Sequence, residues 1–377
     1  MPADDALPRI DRAECVLPAG ADLAATLRFF IDELGFRLDN IYPADDPACA
    51  RLSGHGLRLG LDRAHHGNPG TLRLQTEDRA ERSAVTAPNG TRIEFVPADP
   101  PLSIPEPRVE AFIQAFDDAG WTRGRAGMLY RDLVPERVGG YLIASHIRIP
   151  DGGPVADHVH HHGVRFQFIY CRSGWVRLVY EDQGDPFVMH AGDCVLQPPH
   201  IRHRVLEASE GLEVIELACP AAHMTYIDHE MTLPTGYRRP RRDYGGQTFV
   251  LHRAKEAHWS PRSGSAFEVR DPGLKDATHG RVDVHVLRLS DADSRGSELR
   301  IQRRGSFAFL FVLQGALEIE LDNLPRTRLG VGGSCVIPAA SRLRLDRYSP
   351  DLEVLEVDMP PTGTSPAGAG LRPARAG

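Results

Sequence analysis

An internal repeat constrains this 377-residue chain more than any other feature. Arg131-Asp132 followed fifteen residues later by His146 recurs as Arg270-Asp271 followed fifteen later by His285. Phe168-Ile169-Tyr170-x3-Gly174 recurs as Phe309-Leu310-Phe311-x3-Gly315, and Gly192-x5-Pro198 as Gly332-x5-Pro338, so the offset stays between 139 and 141 residues. Two copies of one architecture are therefore expected in the C-terminal two thirds. In the first copy the runs 141–149, 166–171, 175–181, 187–189, 194–197, 203–207 and 213–218 are short, apolar and β-branched, at roughly ten-residue spacing. Such spacing belongs to a β-sandwich or barrel.

The same copy carries the chemistry. His158-Val159-His160-His161-His162-Gly163 sets four of the seventeen histidines directly before a strand-like run. Alternate residues of a strand share a face, so His158, His160 and His162 can converge, and a bulge or turn near Gly163 would let Gln167 join them. About forty residues on, Gly192-x5-Pro198-x4-His203 adds a turn and a further histidine. Imidazole and amide donors in this order read as a metal site at the start of a strand.

These residues resemble the motifs of the cupin superfamily. His160, His162, Gln167 and Gly174 match the second half of its first motif; Gly192, Pro198 and His203 match its second, with His200 where a glycine is usual. The resemblance implies a mainly β chain with two jelly-roll barrels, a bicupin, and one divalent metal ion held by His160, His162, Gln167 and His203. Fe(II) is the favoured ion, with Zn, Ni or Mn as alternatives. The leading glycine of the first motif fits only a His158/His160 pair, because Gly152 lies six before His158; whether His158 rather than His162 ligates stays open. In the second copy the four ligand positions are Ile301, Arg303, Ala308 and Leu343, so that barrel is expected to be degenerate and structural.

Residues 1–99 read as a small α/β module. A strand at 14–17 leads to a helix over 22–34 with Leu23, Leu27, Phe30, Ile31 and Leu34 on one stripe and Gly35 at its C-terminal end. Strands are expected at 37–42, 50–53, 57–61, 71–75 and 92–96. With Phe29-Phe30, Leu34-Gly35-Phe36 and the segment 88–95, the order resembles a glyoxalase-type (vicinal oxygen chelate) module. That family's metal positions correspond to Glu14 and Glu94, read here as surface charge because no histidine accompanies them; a dimerising or pocket-covering role is expected. Beyond a proline-rich stretch at 97–107, Val109, Phe112, Ile113 and Phe116 predict an amphipathic helix closed by Gly120, giving a linker and helix over 100–126. The barrels are placed at 127–232 and 249–360, joined by a linker (233–248) that holds the basic run 238–242, and a disordered tail is expected at 361–377.

Net charge of -7 argues against general nucleic-acid affinity. No apolar run reaches eighteen residues and no secretory signal is visible, so a cytoplasmic protein is expected, and the six scattered cysteines fit a reducing compartment. A homodimer is the expected assembly. Three neutral imidazoles and a neutral amide leave the charge of a divalent ion uncompensated, which favours a small anionic substrate. Arg165 and Arg202 are candidates to pair it, while His200, Glu207 and Tyr180 are candidates for proton transfer. His146 is read as structural, with His285 as its counterpart. The expected function is a metal-dependent cupin enzyme, first a non-haem Fe(II) dioxygenase acting on a small acidic or phenolic substrate. A redox-neutral isomerase, cyclase or lyase is one alternative, and a non-catalytic small-molecule-binding bicupin another.

Overall fold

The computed structural model describes residues 9–77, 83–98, 100–290, 299–301, 306–322 and 324–360. The chain divides into two compact units, 1–101 and 102–377. No helix among the described residues is long and apolar enough to cross a membrane.

In the first unit, Cys15–Pro18 pairs in parallel with Leu57–Asp62, which continues antiparallel to Cys49–Gly54 and Arg37–Tyr42. The helix Leu23–Arg28 starts where the Asp22 carboxylate accepts the N–H of Ala25 at 2.9 Å, and runs on as a π-helical turn, Phe29–Glu33. Leu23, Leu27, Phe30 and Leu34 bury their stripe against Ala50, Leu52, Leu59 and Leu61 of the sheet. Gly35 then turns the chain at a φ of +74°, which a residue without Cβ adopts freely. Thr71–Thr76, Arg92–Pro97 and Val85–Thr86 form a separate three-stranded sheet. Glu14 pairs with Arg51 at 3.0 Å, and Glu94 with Arg73 at 2.9 Å and Arg92 at 3.0 Å, so both carboxylates are engaged in ion pairs.

The second unit holds the repeat. One seven-stranded sheet runs Val250–His252, Cys194–Gln197, Phe166–Ser173, Leu212–Cys219, Ile143–Ile149, Leu129–Asp132, Thr122–Arg123. The other runs Phe112–Gln114, Ser334–Pro338, Phe307–Gln314, Glu353–Met359, Asp283–Leu289, Phe267–Arg270, Ser260–Pro261, the same order of equivalent strands. Each edge strand is exchanged: Phe112–Gln114 precedes the first barrel but pairs with the second, and Val250–His252 precedes the second but pairs with the first. The helix expected at 109–116 is therefore corrected to a strand. A stripe this short is a marginal helix, and the open edge at Ser334–Val336 satisfies its backbone groups instead.

A second sheet closes each barrel: Phe187–His190, Trp175–Tyr180, His203–Ala208, His160–His162 and Thr225–Ile227 in the first, and Leu299–Ile301, Leu343–Asp346, Ala316–Leu321 and Thr327–Gly330 in the second. Tyr141, Phe166, Phe168 and Tyr170 of the first barrel share one core with Phe307, Phe309 and Phe311 of the second. Two arginines cross that seam in matched fashion. Arg131 donates to the Gly332 carbonyl at 2.7 Å, and Arg270 to the Tyr170 hydroxyl at 3.1 Å. The repeat is one residue out of step at its histidines: Arg131 pairs opposite His146, whereas Arg270 pairs opposite Val286. His285 instead pairs opposite Glu356, as Ser145 does opposite Glu216, which corrects its assignment as the counterpart of His146.

Strand registers also show what became of the second site. His160 lies opposite His203 where Ile301 lies opposite Leu343; Tyr180 opposite His203 becomes Leu321 opposite Leu343; Gln167 opposite Gln197 becomes Ala308 opposite Ile337. Ala308, Leu321, Ile337 and Leu343 are buried in the apolar core of that barrel. Each buried large aliphatic contributes on the order of 1.5–3 kcal/mol, so the interior that is polar in the first barrel stabilises the second by packing alone. Arg303 and the tail 361–377 lie outside the described residues.

Candidate metal centre

Three histidines converge inside the first barrel. His160 and His162 sit on one face of the short strand His160–His162, and His203 opens the next strand directly opposite His160. Their ligand nitrogens lie within 4.8 Å of one another. The other nitrogen of each ring is already committed: Nδ1 of His160 donates to the His158 carbonyl at 2.8 Å, Nδ1 of His203 to the Ile201 carbonyl at 3.0 Å, and Nδ1 of His162 bonds the Thr225 hydroxyl at 2.9 Å. A carbonyl can only accept, so both of those rings carry their proton on Nδ1 and offer the Nε2 lone pair. Burial, the largest influence on each ring, holds all three below the ordinary histidine value and hence neutral. Three oriented neutral imidazoles fit a divalent metal ion.

Gln167 enters through hydrogen bonds. Its Nε2 donates to the Glu216 carboxylate at 2.6 Å, its Oε1 accepts from Gln197 Nε2 at 2.9 Å, and Gln197 Oε1 accepts from the Tyr180 hydroxyl at 2.5 Å. The carboxylate fixes the polarity of this chain, because it can only accept when ionised. Burial raises the Tyr180 phenol far above its ordinary value, so it stays protonated and donates. Gln197 Nε2 stands 3.4 Å from His203 Nε2, and the Tyr180 ring stacks on the His203 ring at 5.4 Å. The network thus ends at the histidine cluster.

Residues 145–217 match the cupin domain family. That stretch contains His160, His162, Gln167 and His203. No curated protein matches the chain. Among solved structures, oxalate decarboxylase from Bacillus subtilis at pH 4.6 is 13% identical, with a TM-score of 0.48 over 66% of this chain and 76% of that one. A structure of the same enzyme used to assign its Mn(II) centres is 12% identical, with a TM-score of 0.48 over 66% and 77%.

The first barrel encloses a cavity of about 270 Å³. Ile143, Ile147, Ile169, Leu178, Met189 and Val214 make its wall largely apolar, and His160, His162, His203, Gln167 and Gln197 line one side. The three histidines and Gln167 singled out from the sequence lie together on this wall. Arg125, Glu216, His223 and Thr225, none of them a candidate from the sequence, also line the cavity. Glu216 left a signal: with Glu213 it is one of two carboxylates in an otherwise apolar strand, and it recurs at the 140-residue offset as Glu356. Arg125 precedes every barrel motif and left none.

The candidate proton-transfer and anion-pairing residues are corrected. His200 lies outside the cavity lining, with Nδ1 3.2 Å from His161 Nδ1, because alternation sends His161 to the face opposite His160 and His162. Glu207 bonds Arg177 at 3.2 Å; a bulge between the pairs Arg177/Glu207 and Leu178/Val205 leaves Val205 facing in and turns Glu207 out. Tyr180 is fully buried behind Gln197 and does not line the cavity. Arg165 precedes the Phe166–Ser173 strand, so the pleat does not aim it with Gln167; its guanidinium is 3.5 Å from the Tyr141 hydroxyl. Arg202 bonds Asp228 at 3.1 Å. His158 lines a different, surface pocket with Asp228 and His229. In the basic run, Arg242 bonds Glu181 at 2.7 Å and Asp182 at 2.8 Å, which makes it a structural clamp.

Proposed function

We propose that the first barrel is a metal-dependent enzyme, a non-haem Fe(II) dioxygenase acting on a small acidic or phenolic substrate. One observation carries this reading: three Nε2 atoms, each oriented by a bond at Nδ1, face a cavity of about 270 Å³ whose remaining wall is mostly apolar. A bound divalent ion would supply Lewis acidity toward a substrate donor atom and, as iron, redox chemistry with oxygen. His160, His162 and His203 would hold it, with Gln167 beside them. The apolar wall excludes water and favours a compact ring or chain over a sugar or nucleotide. Because the imidazoles are neutral, an anionic donor completes the charge of the site.

The redox-neutral alternative, an isomerase, cyclase or lyase, rests on Glu216. Its carboxylate lines the cavity and is linked to the histidine cluster through two amides, Gln167 and Gln197, and from the cavity wall it could accept a proton from an acidic substrate carbon. Anaerobic purification with elemental analysis, alongside an oxygen electrode and a panel of phenols and small acids, separates the readings. Iron near one per chain with oxygen uptake supports the dioxygenase. Turnover without oxygen uptake supports the alternative. Bound metal and tight ligand binding without any turnover would leave a binding protein, and a chain without metal would overturn the site.

A further inference from the structure

We infer that Arg125 is the specificity-determining residue of the first barrel and pairs a carboxylate of the substrate, which is therefore a small, largely apolar carboxylic acid with a second donor for the metal. This rests on the metal-site reading above. Arg125 comes from the turn Arg125–Gly127, between the strands Thr122–Arg123 and Leu129–Asp132, and lines the cavity. Its Nη1 donates to the Asp157 carboxylate at 3.1 Å, and both Nη1 and Nη2 lie 3.4 Å from Nε2 of His160. The guanidinium thus stands beside the cluster, within the reach of a molecule that also touches a metal there.

Its position is imposed. Asp157 is buried, and its second oxygen accepts the Val205 N–H at 3.0 Å, so it grips one edge of the guanidinium from a fixed place. A planar fork held at one edge presents the rest of its donors in the geometry a carboxylate needs. Among the described cavity-lining residues Arg125 is the sole arginine or lysine, and the sole carboxylate, Glu216, is already bonded to Gln167. An anion that enters this cavity meets one cation.

The second barrel shows the same connection doing the same work within the chain. Thr122 lies opposite Tyr130 as Ser260 lies opposite Val269, so the turn holding Arg125 corresponds to the one following Pro261. From that connection Arg262 reaches Glu356 with two contacts, at 3.0 Å and 3.3 Å. Glu356 occupies the register of Glu216, since Leu310 lies opposite Glu356 as Ile169 lies opposite Glu216. In the degenerate barrel an arginine from this connection is paired by a carboxylate of the chain. In the working barrel the equivalent carboxylate is tied to Gln167, and Arg125, gripped at Nη1 by Asp157, keeps its remaining donors for a carboxylate brought from outside.

The test uses the full chain loaded with cobalt(II), isothermal titration with salicylate and with catechol, and the variants Arg125→Gln and Arg125→Lys. Salicylate carries a carboxylate and a phenol; catechol keeps the ring and metal-binding oxygens without the carboxylate. Wild type is expected to bind both. Arg125→Gln is expected to lose about tenfold or more of salicylate affinity while catechol affinity and cobalt stoichiometry stay unchanged, and Arg125→Lys to fall between. Equal salicylate affinity in wild type and Arg125→Gln, or cobalt-loaded wild type that ignores salicylate, would overturn the role of Arg125 and leave the metal site standing. An Arg125→Gln chain that loses cobalt, or loses both ligands alike, would make the arginine a support for His160 and overturn the inference too. Wild type that takes up no cobalt would overturn the metal reading, and this one with it.

Discussion

Gln167 donates from its amide to the Glu216 carboxylate at 2.6 Å across neighbouring strands, so a negative charge stands directly behind the site's neutral amide. Replacing Gln167 by Glu would set two carboxylates at that distance. Like charges so close cannot both ionise without cost, and the donor that satisfies Glu216 is lost. Gln167→Glu is expected to lower the stability of the metal-free protein by about 2 kcal/mol, and Gln167→Glu/Glu216→Gln to recover most of it. Urea unfolding of both singles and the double would measure the coupling; additive losses would mean that the two side chains do not interact.

Metal loading divides the histidines. His160→Ala, His162→Ala and His203→Ala each remove one of three convergent nitrogens and are expected to reduce bound metal to a small fraction of wild type. His158→Ala is expected to retain it, since His158 lines a surface pocket and serves the site through its backbone carbonyl. Elemental analysis after dialysis decides; a His158→Ala chain empty of metal would shift the ligand pair by two residues, to His158 and His160.

The fold was legible wherever local pattern and long-range pairing agree. Two-residue alternation and turn residues marked the barrel strands, and the offset between Phe168 and Phe309 revealed the second barrel. Where the pairing partner decides, the sequence was silent. Phe112–Gln114 is a strand because Ser334–Val336 offers an edge, and Glu207 faces out because of a bulge at its neighbour Leu206. The site followed the same division. His160, His162 and His203 come from motifs, whereas Arg125 and His223 arrive from connecting segments whose path only the tertiary structure defines.

Tyr180 is better understood as a support than as an acid. Its hydroxyl bonds Gln197 Oε1, and its ring stacks on His203. Tyr180→Phe keeps the stack and leaves a buried amide oxygen without its donor, a cost of about 1–3 kcal/mol. The expected outcome is a chain less stable to urea by that amount, still loaded with metal. Unchanged stability would show that Gln197 finds another donor, and the orienting role of Tyr180 would fall.

Acid sensitivity should trace to His146 and Glu213, beside the seam between the barrels. His146 Nε2 donates to Glu213 at 2.8 Å while its Nδ1 accepts from Arg131 at 3.1 Å, and Arg131 in turn holds the Gly332 carbonyl. Burial pushes His146 below its ordinary value, outweighing the pull of Glu213 in the other direction. Burial would raise Glu213, but the bond from His146 together with Arg172 and Arg148 brings it down to about 2. Both folded values lie below the unfolded ones, so the unfolded chain binds more protons and stability rises with pH. The contribution is complete above about pH 6.5; it fades first as His146 is protonated in the unfolded chain, then between about pH 4.5 and 2 as Glu213 loses its charge. Glu213→Gln is therefore expected to cost about 2 kcal/mol or more at pH 7 and no less at pH 5, with the gap to wild type narrowing only below about pH 4.5 and visibly smaller at pH 3. Urea titrations of both proteins at pH 7, 5 and 3 measure that gap. A gap of constant size would mean that the charge on Glu213 contributes nothing and that the seam is held by packing alone.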